Sequence, residues 1–193
     1  IVPMLPMREE IVLPGSKVPF FVGRQASMDA LDRALGGDRI IFVVGQKDSS
    51  VENPEENDLY EIGVLGRIVQ VMKLPNGTVK ALFEGEKRGK LIATKLAKKE
   101  FLVQVEPLDD ISYDLDNEKV KNLSAHVFDL FRKHVDQTTK KYNKDEIDSI
   151  EELDDLLVSD RIVSLMELSR DKKQEFLEIL NPEERLVNLL EVL

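Results

Sequence analysis

The chain contains no cysteine among its 193 residues. That excludes a disulfide framework, a thiolate nucleophile and a cysteine-based zinc site, and it fits a reducing compartment, so a cytoplasmic location is expected. Long apolar runs are also missing: the longest, Ile40 to Val44, falls far short of the roughly 20 residues that a membrane-spanning helix needs. The first residues, Ile1-Val2-Pro3-Met4, have no initiator methionine and no charged region leading into an apolar core. No secretory signal is expected, and Ile1 reads as a cut site. Basic charge is in deficit, with 27 lysines and arginines against 37 acidic residues and a formal charge of -10, a balance that repels nucleic-acid backbones and anionic membranes.

Catalytic signatures are equally scarce. Gly85-Glu86-Lys87-Arg88-Gly89-Lys90 resembles a phosphate-binding loop, but three residues lie between its glycines rather than four and Leu91 replaces the required serine or threonine. A basic turn between strands is the expected reading. Asp114, Asp116 and Glu118 alternate like a calcium loop, yet Lys119 stands where the sharp turn needs glycine. His126 and His134 lie eight positions apart, about 80° out of line on a helix, too far for convergent metal ligands. The paired carboxylates Asp109-Asp110, Glu151-Glu152 and Asp154-Asp155 have no neighbouring nucleophile and read as solvated faces. Lys87, Arg88, Lys90, Lys95, Lys98 and Lys99 form a basic stretch with few aromatics for base stacking. No catalytic, cofactor-binding or metal-ligating residue is assigned.

Hydrophobic residues make up 42% and charged residues 33%, the composition of a folded chain with a sizeable core. From Ile1 to Leu108 short β-type runs alternate with Gly, Pro and Asn, and one helix is expected, capped by Ser27 and stopped by left-handed Gly36-Gly37. Ile40–Val44 reads as a buried strand. Ile62 to Leu74 meets Pro75-Asn76-Gly77 and returns through Thr78 to Glu84, a hairpin whose turn residues each have a conformational reason to be there. Phe101, Val103 and Val105 share one face of a later strand that Pro107 ends. Residues 109–116 form an acidic linker, after which the apolar period changes from two to about 3.6, marking a domain boundary.

Residues 117–193 are expected to hold four or five helices. Val120, Leu123, Val127, Leu130 and Phe131 line the first, which polar residues around Asn143–Asp148 end. Ser149 with Glu152 suggests a capping box for a second, a third begins near Ser159, and Asp171 with Gln174 resembles a further start. Asn181-Pro182 combines a cap with a first-turn proline for the last helix, which runs through Leu186 to Leu193 and reads as cut in mid-helix.

Several blocks in register resemble the amino-terminal domain of Lon-family ATP-dependent proteases, of bacterial type. They include Met4-Leu5-Pro6-Met7-Arg8, Val12-Leu13-Pro14-Gly15 and Val18-Pro19-Phe20-Phe21-Val22-Gly23-Arg24. Further on come Val43-Val44-Gly45-Gln46-Lys47-Asp48, Asp58-Leu59-Tyr60-Glu61-Ile62-Gly63-Val64, Lys73 to Lys80 and Phe83 to Arg88. Lys172 to Leu180 and Arg185 to Leu190 resemble the family's approach to its long linking helix. The resemblance implies an α+β chain: a β-rich, PUA-like pseudo-barrel with one short helix over 1–108, then an α-helical bundle. It also implies a non-catalytic recognition region whose parent, a homohexameric serine protease, has an ATPase module using ATP and magnesium and a Ser-Lys peptidase module, both beyond residue 193.

Two roles follow as expectations. In the first, the chain captures unfolded or degron-bearing proteins, and Met4, Met7, Leu13, Phe20 and Phe21, apolar residues beside prolines, are the candidate contacts. In the second, it serves mainly as an oligomerisation and positioning module through its helical half. A stand-alone PUA-like RNA-binding domain is a third alternative that the net charge disfavours.

Overall fold

A computed structural model describes residues 1–97, 100–109 and 118–193, without side chains over 95–100. The chain divides into two compact units, Ile1–Leu108 and Asp109–Leu193. Lys98, Lys99, Asp114 and Asp116, with most of the acidic stretch 109–116, lie outside the described residues.

The first unit holds β1 (Val2–Met7), β2 (Lys17–Val22), α1 (Gln25–Gly36), β3 (Ile40–Gly45), β4 (Ile62–Lys73), β5 (Val79–Ala97) and β6 (Glu100–Pro107). The sheet order is β2-β5-β4-β3-β1-β6, and an additional β5–β6 pairing joins the far strands. Long β5 makes this closure possible: its first part pairs with β2 and its last part, Gly89–Ala97, with β6. Strand β2 is left as the terminal strand. Inside the sheet Met4, Leu13, Phe42, Ile68, Ala81, Phe83 and Val103 are fully buried.

The hairpin expected at Pro75-Asn76-Gly77 is present. Gly77 takes φ +83°, and Leu74 N–H donates to Thr78 O at 2.9 Å. Gly66 has another reason to be glycine: a Cβ there would stand 2.2 Å from Glu84 O across the β4–β5 bulge. Three local expectations are corrected. Ser27 is buried within α1 and Arg24 occupies the N-cap position without a side-chain cap. The left-handed residue after α1 is Arg39 (φ 65°), whose N–H closes onto Ala34 O, while Gly37 stays at φ −116°. Gly85–Lys90 is no turn but the middle of β5, paired with β4.

The second unit consists of α2 (Glu118–Gln137), α3 (Lys144–Asp148), α4 (Asp155–Leu165), α5 (Arg170–Glu178) and α6 (Pro182–Leu190). The buried stripe of α2 is Val120, Ser124, Val127, Phe128 and Phe131, which displaces Leu123 and Leu130 to its flanks. Asn143, expected among the residues that end α2, caps α3 by accepting from Asp145 N–H. The Ser149/Glu152 capping box is absent: those residues form a 3-10 turn, and Asp154 caps α4 instead. Ser159 is buried inside α4, and Ser169, two residues before Asp171, caps α5. Asn181 does cap α6, accepting from Glu183 and Glu184 N–H, with Pro182 in the first turn. Among the described residues no helix is long and apolar enough to cross a membrane.

The core of this unit includes an ion pair. Arg185 Nε lies 3.7 Å from Asp160 Oδ1, and both side chains are almost completely buried. The guanidinium also donates to Ile179 O (2.8 Å), Leu156 O (3.3 Å) and Ser159 Oγ (3.4 Å), so α6 is tied to α4 and to the end of α5.

Candidate functional site

Alternation along β2 sends Phe20 and Val22 toward the interior, where Phe20 meets Phe83 with ring centroids 6.0 Å apart. The same alternation sends Pro19 and Phe21 outward. Phe21 is 65% exposed, the second most exposed large apolar residue described, and Lys80 Nζ stands 5.8 Å from its ring centroid. Beside this strand runs a groove of about 600 Å³. It is lined by Leu5, Pro6 and Met7 at the end of β1 and by Pro19–Val22 of β2, with Arg8–Glu10, Gly23, Arg24, Ser27 and Thr78.

The groove owes its shape to long-range polar contacts. Arg24 donates to Pro6 O (2.9 Å), Gln46 Oε1 (3.2 Å) and Glu52 O (3.0 Å). Gln46, fully buried, donates in turn to Val51 O and Asp48 O. Arg8 adds a bond to Val51 O. Burial lowers the Arg24 pKa, and the neighbouring positive charge of Arg8 pushes the same way. Arg24 remains the cation that fastens the end of β1 to the 48–52 loop, because an arginine stays protonated through any such shift at neutral pH. Glu9 and Glu10 are exposed at the rim, with no ion pair among the described residues.

The five candidate contacts separate cleanly. Met7, Phe20 and Phe21 line the groove, Phe20 as buried wall, Met7 half-buried and Phe21 exposed. Met4 and Leu13 are corrected to core residues: each is 0% exposed and offers nothing to a ligand. Apolar residues beside prolines gave no indication of side. Arg24 and Gln46 escaped notice as site residues, since the contacts by which Arg24 reaches Pro6, Gln46 and Glu52 span 18 to 28 positions in the chain.

Chemically the groove can hold an apolar segment but has no nucleophile–base pair to act on it. Among the described residues no group of three or more His, Asp or Glu could hold a metal ion.

Residues 1–193 match the model of the ATP-dependent protease La (LON) substrate-binding domain. Lon protease 1 of Syntrophobacter fumaroxidans is 34% identical over 189 residues, covering 97% of this chain and 23% of that protein. The Lon protease of Escherichia coli K12 is 33% identical over 190 residues, covering 98% and 24%. The chain thus spans about a quarter of the length of these relatives. Its fold is that of the N terminal domain of Mycobacterium avium complex Lon protease (TM-score 0.78, 23% identity, 98% and 96% of the two chains covered). The Lon N-terminal domain protein from Xanthomonas campestris is also similar (TM-score 0.68, 17% identity, 98% and 96% covered). By its sequence over its whole length, the chain belongs to the Lon substrate-binding domain family.

Proposed function

We propose that this chain is the non-catalytic substrate-capturing region of an ATP-dependent serine protease, and that it takes unfolded or degron-bearing proteins into the groove beside Phe21. In this reading the parent acts in the cytoplasm as a homohexamer, and its ATP- and magnesium-dependent motor and Ser-Lys peptidase lie outside these residues. The observation that carries the reading is an exposed phenylalanine on the lip of a groove, in a chain whose family is defined by substrate binding. Covering the exposed part of one such ring is worth about 1–2 kcal/mol. Capture of that strength is weak and tolerant of sequence, as suits a site that must later release its cargo to a motor.

The test is a fluorescence-anisotropy titration of a labelled, unfolded casein-like polypeptide with the chain and with Phe21→Asp. Phe21 is mostly solvent-exposed, so the substitution leaves stability within about 0.5 kcal/mol while weakening binding several-fold. Equal binding by both proteins, or none by the wild type, refutes the reading.

A second role, positioning within an oligomer, is favoured by Val187, which is 44% exposed on α6. Sedimentation of the chain finds concentration-dependent association if that face is a contact, and a monomer at every concentration if it is not.

A further inference from the structure

The outer edge of β2 has a backbone pattern that specifies how a ligand would lie in the groove. Gly85 N–H donates to Ser16 O at 2.9 Å, and pairing continues from Lys17 opposite Glu84 to Val22 opposite Val79. Antiparallel pairs alternate, so Val18, Phe20 and Val22 point their N–H and C=O groups at β5, and Lys17, Pro19 and Phe21 point theirs away. The other side of β5 gives the same parity: Thr78 O accepts from Leu74 N–H on the β4 side, which turns Val79, Ala81 and Phe83 toward β2. Pro19, which has no N–H, sits where a missing donor breaks no ladder bond. The open edge therefore presents Phe21 N–H, Phe21 C=O and Pro19 C=O along one wall of the groove.

The charges at the rim select among extended ligands. Arg8 and Arg24 are engaged with backbone carbonyls of the chain, whereas Glu9 and Glu10 are exposed and make no ion pair among the described residues. At the Glu9–Glu10 rim the charge left open to a ligand is negative, whereas at the other end Lys80 stands over the Phe21 ring.

We propose that an extended apolar segment bearing lysine or arginine adds to β2 as a further strand, exchanging two main-chain hydrogen bonds with Phe21 and donating a third to Pro19 O, with its basic side chains toward Glu9 and Glu10. Main-chain bonding accounts for tolerance of sequence, since every residue but proline offers the same donor and acceptor. Edge addition also sets the side chains alternately against the groove and toward solvent. This rests on the groove being the substrate site, and it adds the substrate class and the mode of binding.

The experiment uses the full chain and a fluorescein-labelled ten-residue peptide alternating leucine with lysine. Two versions are N-methylated at every second residue, one along each edge of the extended peptide. One methylated version loses about tenfold in affinity, because it leaves groove carbonyls without donors, and the other keeps its affinity. Glu9→Lys with Glu10→Lys weakens the unmethylated peptide several-fold, more so at low salt. If the peptide binds and both methylated versions bind equally well, strand addition is overturned and the groove remains a side-chain site. If an unfolded casein-like polypeptide binds while the peptide does not, the apolar-basic class is overturned. If neither binds, the groove is not the substrate site and both readings fall.

Discussion

Replacing Arg185 by alanine takes the cation out of the centre of the helical unit. Three consequences follow from the geometry. Asp160, 1% exposed, keeps a carboxylate that had faced Arg185 Nε at 3.7 Å. The carbonyls of Ile179 and Leu156 lose donors at 2.8 and 3.3 Å. A fully buried side chain leaves a cavity between α4 and α6. Breaking one side of a buried pair costs about 3–5 kcal/mol, a large share of the 5–15 kcal/mol that holds a typical domain together. For a chain of this size the midpoint of thermal unfolding drops by about 6–20 °C.

Two companions separate charge from shape. Arg185→Lys retains the charge but loses the planar fork that reaches two carbonyls and a hydroxyl together, so it is destabilised as well. Arg185→Met with Asp160→Leu removes both charges and fills the space, and it stands closer to the wild type than Arg185→Ala does. Urea titration of the full chain, followed by helical circular dichroism, gives each stability. In a background with Tyr60→Phe and Tyr113→Phe, near-ultraviolet dichroism of Tyr142, packed edge-on against Phe131, reports on the helical unit separately. A loss below about 1 kcal/mol for Arg185→Ala would refute the reasoning, because the pair would then not be isolated from solvent.

Two further outcomes are expected. Gly66→Ala destabilises the sheet by about 2–3 kcal/mol in urea titration, since the added Cβ meets the Glu84 carbonyl at 2.2 Å and the backbone must shift. Thr94 donates through both its hydroxyl and its N–H to Glu56, and the hydroxyl bond foremost lowers the Glu56 pKa. The folded value lies below the unfolded one, so this link stabilises fully above the ordinary glutamate range and is lost as pH falls through the folded value. An NMR titration shows Glu56 moving back toward its ordinary value in Thr94→Val, and no change there contradicts the assignment.

What could be read from the sequence was chemistry that acts within a few residues. Asn76-Gly77 and Asn181-Pro182 announced a turn and a cap because their own side chains and φ preferences create them. Ser149 and Glu152 matched a capping box by spacing, yet the backbone forms a 3-10 turn there and Asp154 supplies the cap. Arg39 in the left-handed region has no signature in its side chain; the hydrogen bond to Ala34 O that holds it is visible only in the fold.

The candidate site follows the same rule. Phe21 and Met7 could be picked out as apolar residues in a proline-rich stretch, but nothing local separated them from buried Met4 and Leu13. The side that Met4, Met7 and Phe21 face is set by pairings with β3 and β5, dozens of residues away. Arg24 and Gln46 shape the groove through contacts that only the closed sheet brings within reach.

The central claim is that substrate lies along the β2 side of the groove, and site-specific photo-crosslinking addresses it most directly. A benzophenone amino acid is placed at Phe21, and separately at Val187, also exposed but in the helical unit. Each protein is irradiated with a labelled unfolded polypeptide. Strong crosslinking from position 21 and little from 187 is the result predicted. Equal yields, or crosslinking confined to position 187, would contradict it.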